Sequence, residues 1–372
     1  MRLPQDIHTM HRHCIPTVHT GDAKYCVSTS GNILFLQYFI SRLFTMINET
    51  IHICFTKNKH TLPLEIIEHL KRIYKNVEVI ESKVEHFRNG EQKAVILTSV
   101  RRKAIWLIST AEENVDIEVI KTLLYLDALQ RAGANSIQLI MPLFYYARQD
   151  QTSNNREPIS GAMFASFYES LGVRHFITVH LHNNAIQGFF KGQVDIIGTR
   201  KLFWNHLQNI CRKNEGSFNP KEWLIIFPDE GAAKRCREFY QKSNAAGYAG
   251  FSKQRTEANK VEKMDFFGDV KGMRCFLYDD LIDTGGTLAM AGEMLVKNGA
   301  KEVIAGCSHG LLTGEAPSIL QNSSYSKVFV TDSLYIDEKK QFPKLEIVSL
   351  APMLSEVIKK AHLGESIRYE NW

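Results

Sequence analysis

The chain has 372 residues, 44% of them hydrophobic and 23% charged, so it can bury a core and is too long for one ordinary domain. Its 45 Lys and Arg against 40 Asp and Glu leave a net charge of +5, not gathered into a basic run; a nucleic-acid-binding arm is excluded as the first reading, and anionic small substrates are permitted. Seven cysteines without a C-x-x-C pair suggest neither a disulfide framework nor a zinc ribbon, and the apolar run 33–40 is too short to span a bilayer. The expected compartment is reducing and cytoplasmic, with no nucleic-acid or membrane partner.

Residues 1–50 hold His8, His11, His13, His19, Cys14 and Cys26 among mixed charges with no periodicity. This spacing matches no closed zinc pattern, and the segment reads as a flexible, solvated extension. Asp6 and Asp22 beside Arg2 and Arg12 weaken a mitochondrial presequence, although import into an organelle through this extension stays open. From Ile51 onward short β-rich runs alternate with helical periodicity: AIWLI (104–108), VIKTLLYLDALQR (119–131) ending at Gly133, then IQLIM (137–141). That is βαβ grammar. It continues through FITV (176–179), LIIF (224–227), RCFLY (274–278), VIAGC (303–307), VFVT (328–331) and LEIVSL (345–350). The strand runs are almost continuously apolar, as parallel strands covered by helices on both faces must be. The fold class is therefore α/β. A break near residues 198–200 divides it into 51–199 and 200–372, two domains of similar size with no visible sequence repeat.

Ligands of open parallel sheets sit at the carboxyl ends of strands, and one such end stands out. Residues 275–287, CFLYDDLIDTGGT, run from a hydrophobic strand into Asp279 and Asp280, then into Asp283, Thr284, Gly285, Gly286 and Thr287, where a helix opens at Leu288. Backbone N–H groups of such a turn form a nest for a phosphate, and glycines let the anion approach the main chain. Two adjacent carboxylates on a strand point to opposite faces, so at least one meets solvent or a ligand's hydroxyls. An ordinary strand-turn-helix corner is the structural alternative.

At this motif the chain resembles the phosphoribosyl pyrophosphate (PRPP) binding signature of the phosphoribosyltransferase-type fold. Residues 146–160 (YARQDQTSNNREPIS), 180–190 (HLHNNAIQGFF), 252–264 (SKQRTEANKVEKM) and 364–367 resemble ribose-phosphate pyrophosphokinase, in one colinear order from about residue 51 to about 369. That resemblance implies two tandem phosphoribosyltransferase-like domains, an ATP side at 51–199 and a ribose 5-phosphate side at 200–372. The implied reaction is that of ATP with ribose 5-phosphate, giving PRPP and AMP, with Mg²⁺ as cofactor. Asp279, Asp280, Asp283 and the turn Thr284, Gly285, Gly286, Thr287 would then bind ribose 5-phosphate, while Arg148 and Gln149 match positions that contact ATP. Phe87, Asn89 and Glu91 resemble a run that reaches the ATP of a neighbouring subunit, implying a homo-oligomer with shared sites. Lys253 and Arg255, in a polar stretch read as a loop, match cations that close over the reacting phosphates and are the expected catalytic pair. Asp229 and Gly231 match the pyrophosphate loop; His182 and Asp229 match the metal side. His309 carries a lesser expectation near the ribose pocket.

The sequence departs from the family pattern at Ser153, His180, Lys191, Glu230 and Ala232, and at Arg368 in a C-terminal run tied to phosphate regulation. The first of these departures raise a rival reading, a non-catalytic homologue that assembles with active subunits. Retention of Lys253, Arg255, Asp279, Asp280 and Asp283 favours the enzyme. A base-modifying phosphoribosyltransferase would leave residues 148–160 and 253–255 without a task.

Overall fold

A computed structural model of the chain describes residues 50–367 except 113, 153, 229–232 and 258–259, and the backbone alone for 233–236 and 253–264. Residues Ile51–Trp372 form one compact unit, built on two sheets. The first takes β1 (Ile51–Phe55), β2 (Val77–Val79), β5 (Ala104–Ile108), β6 (Ser136–Ile140), β7 (Val173–Val179) and β8 (Gln193–Ile197) in the order β2-β1-β5-β6-β7-β8. All its pairings are parallel. The second takes β9 (Trp223–Phe227), β10 (Gly247–Glu257), β11 (Lys260–Phe267), β12 (Arg274–Ile282), β13 (Glu302–Gly310), β14 (Lys327–Thr331) and β15 (Leu345–Val348) in the order β11-β10-β9-β12-β13-β14-β15. It is parallel except where β10 turns back into β11. A separate antiparallel hairpin joins β3 (Ser82–His86) to β4 (Gln92–Ile96).

Apolar residues on both faces of the central strands demand a helical layer on each side, and four clusters supply it. On one face of the first sheet Leu107, Leu139 and Phe176 pack with Tyr125 and Leu129 of α2 (Val115–Arg131) and Tyr168 of α3 (Ser160–Ser170). On its other face Ile53, Ile108 and Ile177 meet Ile66 and Leu70 of α1 (Leu62–Ile73) and Leu354 and Val357 of α8 (Ala351–His362). The second sheet is covered by α4 (Arg200–Glu215), whose Phe203 and Trp204 pack with Phe276 and Phe329, and by α5 (Ala233–Ser243), which adds Phe239. Opposite them lie α6 (Gly286–Lys297) and α7 (Ala316–Gln321), with Leu288, Leu295 and Leu320 against Leu277 and Val330.

The chain's last helix crosses back to the first sheet. Ser355 on α8 donates to the Ile66 carbonyl at 3.0 Å and Ser349 to Glu65 at 3.1 Å, so the covering layer of the first sheet is completed from the far end of the sequence. Among the described residues no helix is long and apolar enough to cross a membrane.

Candidate active site

The carboxyl ends of both sets of strands face a shared cavity of about 510 Å³. From the first half it is lined by Arg148 and Gln149, beyond β6, and by His182, beyond β7; from the second by Asp280 and Asp283. These five residues were expected at the site, and the fold brings them together.

β12 runs further than its hydrophobic run suggests, to Ile282, because pairing with β13 continues through Asp279–Cys307 and Ile282–Gly310. The acids therefore sit on a braced strand. Asp280 Oδ2 lies 2.6 Å from His182 Nδ1, a contact between side chains of the two halves. Burial would raise the Asp280 carboxyl, but the His182 hydrogen bond, nearby His180 and Asp279 outweigh it and hold it well below the ordinary carboxylate range. The same bond raises His182, against the opposing effect of burial. Each partner thus favours the charged form of the other.

A second bridge joins the ATP-side and ribose-side candidates: Arg148 Nη1 donates to Asp283 Oδ2 at 2.7 Å, and Thr313 donates to Asp283 Oδ1 at 2.5 Å. Burial pushes the Asp283 carboxyl up, yet these two donors bring it below its usual value. Gln149 accepts from Ser160 at 2.6 Å. Thr313 gave no signal of its own in the sequence, since an isolated Thr in a loop marks no chemistry.

Beyond Asp283 the chain makes the tight turn of the motif. Gly285 has φ of 77°, the left-handed region, and a Cβ there would approach Leu320 within 3.2 Å; only glycine meets both conditions. A Cβ on Gly286 would meet nothing within 4 Å. Open space therefore lies beside the first residue of α6, where unpaired N–H groups and the helix dipole favour an anion.

The other expected residues are placed as follows. Phe87, 51% exposed, opens the tip of the β3–β4 hairpin; its N–H donates to the Glu91 carbonyl at 2.8 Å, and Asn89 accepts from Glu91 N–H at 3.2 Å. None of the three lines the cavity. Lys253 and Arg255, expected in a loop, belong to strand β10, opposite Met264 and Val261 of β11, with a register shift between Gln254 and Arg255. The correction has a simple cause: antiparallel pairing satisfies the backbone of a polar segment that has no apolar face to reveal it. Asp229 and Gly231 lie outside the described residues, as do Ser153, Glu230, Ala232 and Arg368. His309 is wholly buried; its Nε2 donates towards the carbonyls of Val179 and His180 at 3.0 Å each, and its Nδ1 pairs with Ser333 at 2.8 Å. It forms part of the cavity lining, and burial lowers its imidazole below the ordinary value.

Comparison with known proteins agrees with this architecture. The family model for the N-terminal domain of ribose phosphate pyrophosphokinase matches residues 51–172, and that for the phosphoribosyl synthetase-associated domain matches residues 245–370. The ribose-phosphate pyrophosphokinase of Aquifex aeolicus is 36% identical over 312 residues, covering 84% of this chain and 96% of that protein. The chain belongs to the ribose-phosphate pyrophosphokinase family. The Bacillus subtilis member is 33% identical over 293 residues, covering 79% of this chain and 90% of its own length. A crystal structure of the phosphoribosylpyrophosphate synthetase from Mycobacterium smegmatis superposes with a TM-score of 0.75 at 30% identity, covering 84% of this chain and 99% of that one. Family members are ATP-dependent pyrophosphoryl transferases.

Proposed function

We propose that this cavity carries out ribose-phosphate pyrophosphokinase chemistry: the anomeric hydroxyl of ribose 5-phosphate attacks the β-phosphorus of ATP, AMP leaves, and PRPP forms. The observation that carries the reading is the pairing of His182 with Asp280 and of Arg148 with Asp283 across the mouth of one cavity, beside a strand-turn-helix with open space at Gly286. Such a reaction needs nucleophile and leaving group held roughly in line and negative charge neutralised.

In this assignment Asp279 and Asp280 accept hydrogen bonds from the sugar hydroxyls, and the amides of Thr284, Gly285, Gly286 and Thr287 cradle the 5-phosphate. Asp283 and Arg148 exchange each other for substrate groups, with Arg148 and Gln149 on the ATP side. Lys253 and Arg255 stabilise charge on the transferred phosphates, and Asp229 and Gly231 form the pyrophosphate loop. Phe87, Asn89 and Glu91, exposed on a hairpin tip, suit contact with a neighbouring subunit's ATP, which makes the working form a homo-oligomer. The division into an ATP side at 51–199 and a ribose side at 200–372 belongs to the same proposal, with α8 returning to the first sheet. The cytoplasm is its proposed compartment.

Mg²⁺ is the proposed cofactor. Among the described residues no group of three or more His, Cys, Asp or Glu could hold a metal, which does not suit a protein-enclosed centre. It does suit a hard cation that arrives on nucleotide phosphates and needs only one or two protein ligands. His182 and Asp229 would supply them, and the ion would neutralise phosphate charge.

A coupled assay for AMP release from ATP with ribose 5-phosphate tests the reading. PRPP and AMP in equal amounts are expected; ATP binding without AMP release would instead identify a non-catalytic homologue.

A further inference from the structure

Behind the His182–Asp280 contact lies a second, buried one. Two residues upstream of each partner stand His180 and Tyr278, whose rings stack with centroids 5.3 Å apart and planes 3° from parallel. Tyr278 and Asp280 lie on the same strand, two residues apart and so on one face. His180 leaves the end of β7 with φ of 38°, a left-handed conformation in which His, Asn and Asp are the favoured non-glycine residues. Its N–H donates to the Ile197 carbonyl at 3.0 Å.

The polar atoms of this pair close a circuit. His180 Nδ1 lies 2.6 Å from Ser308 Oγ, Ser308 Oγ lies 2.6 Å from Thr199 Oγ1, Thr199 Oγ1 lies 2.9 Å from the Tyr278 hydroxyl, and that hydroxyl returns to His180 Nδ1 at 3.0 Å. All four residues are buried, and they come from four places: the end of β7, the N-cap of α4, β12 and β13. Nδ1 carries either one lone pair or one proton, so it makes one full hydrogen bond, to Ser308 or to Tyr278, and the hydroxyls link the rest; these bonds form only when all four segments are in place, and a buried hydroxyl that loses its partner keeps its desolvation cost. His309 adds a parallel tie from β13 to the carbonyls of Val179 and His180.

We propose that His180 and Tyr278, through the circuit with Thr199 and Ser308, are positioning residues that hold the two halves in the register at which His182 meets Asp280, and so set the ribose 5-phosphate site. This rests on the assignment of Asp280 to ribose 5-phosphate. His180 also borders the cavity; the role proposed for the four is positioning, not contact with substrate. Nδ1 of His180 is engaged at the joint between the halves.

The test uses the full chain with Tyr278→Phe, which keeps the ring and removes the hydroxyl, and with His180→Ala and His180→Asn. In Tyr278→Phe and His180→Ala, the affinity for ribose 5-phosphate by calorimetry, and its KM, should weaken about tenfold, the order of one buried hydrogen bond, while the KM for ATP stays within about twofold. His180→Asn, whose amide can reach Ser308 from the place of Nδ1 and which tolerates the left-handed backbone, should recover most of that loss. Equal weakening toward both substrates, or a lowered melting temperature with unchanged ribose 5-phosphate affinity, would show a general packing role and overturn the proposal, as would a His180→Asn chain no better than His180→Ala. A wild-type chain that binds ribose 5-phosphate but releases no AMP would refute catalysis and leave the binding comparison decisive. One that does not bind ribose 5-phosphate would overturn both.

Discussion

The two sheets trace the same path. β2-β1-β5-β6-β7-β8 and β10-β9-β12-β13-β14-β15 each begin at an inner strand, step to one side, then cross back and continue on the other. Each therefore has a reversal point, between β1 and β5 and between β9 and β12, where an open parallel sheet offers a crevice for ligands. In the second half the strand bordering that crevice carries Asp279, Asp280 and the turn into α6. In the first half the corresponding crevice is filled by its own side chains: Asn58 donates to the Thr110 carbonyl at 2.8 Å and to Glu118 at 3.2 Å, and Lys121 pairs with Glu118 at 2.5 Å. Glu118 and Lys121 are 2% and 5% exposed. Topology places the crevice, and residue chemistry decides whether it is a site or a plug.

The largest expected effect breaks the plug. Lys121→Met strands a buried carboxylate and should cost about 3–5 kcal/mol of stability in a denaturant titration, whereas replacing both partners, Glu118→Leu with Lys121→Met, should come back near wild type. Specific activity of the folded fraction should not move in either. Burial already raises the Glu118 carboxyl, with Lys121 opposing, so losing the cation raises it further. The folded state then binds a proton that the unfolded state has released, and the stability of Lys121→Met should fall as pH rises above the ordinary carboxyl range. A parallel loss of AMP release in the double variant would make the first crevice part of the site.

The second effect belongs to the other half. Lys253→Ala should lower kcat by about 10²–10³ with ATP and ribose 5-phosphate binding nearly intact, because a cation that acts on charge developing in the transition state is read in kcat. A loss confined to KM demotes Lys253 to a binding residue, and a wild-type kcat removes it from the chemistry.

This contrast also marks what the sequence could tell. Residues 275–287 were legible because strand, acids, turn and helix follow one another without interruption, so local grammar carries the whole unit. Arg148, Gln149 and His182 were reachable only through family resemblance, since each sits on a loop, and Arg148 and His182 gain their partners, Asp283 and Asp280, from more than ninety residues away. The polar stretch around Lys253 and Arg255 was read as a loop because its sequence shows no apolar alternation. The shared path of the two sheets left no repeat in the sequence, as covered parallel strands need only apolar residues, not the same ones. The His180–Tyr278 stack was invisible for a different reason: a buried polar circuit is defined by four distant segments and by no spacing within any of them.

Asp280→Asn sharpens the ribose side of the comparison. Hydrogen bonds to a charged group are worth about 1.5–3 kcal/mol, so the KM for ribose 5-phosphate should rise roughly 10- to 100-fold while that for ATP changes little. The substitution also removes the charge that raises His182, so the His182 imidazole should titrate closer to its ordinary value in a histidine NMR titration. An unchanged ribose 5-phosphate KM would take Asp280 out of the pocket.

The smallest expected effect lies where the plug and the cavity touch. Asn114 caps α2, its side chain accepting from the N–H groups of Asp116 at 3.1 Å and Ile117 at 3.3 Å, and the next residue, Val115, lines the cavity. Asn114→Ala leaves two amides of the first turn without that acceptor and should cost about 0.5–2 kcal/mol of stability, with Asn114→Gly costing only a few tenths. The turn has a second anchor, since the Tyr146 hydroxyl donates to Asp116, so the cavity wall should keep its place when the cap is lost. Both substrates' KM and kcat are therefore expected to stay within about twofold, below what one lost substrate hydrogen bond would produce. A tenfold change in either KM at this position would mean that the first half's helix terminus acts on substrate, and the division between a plugged crevice and a working one would have to be redrawn.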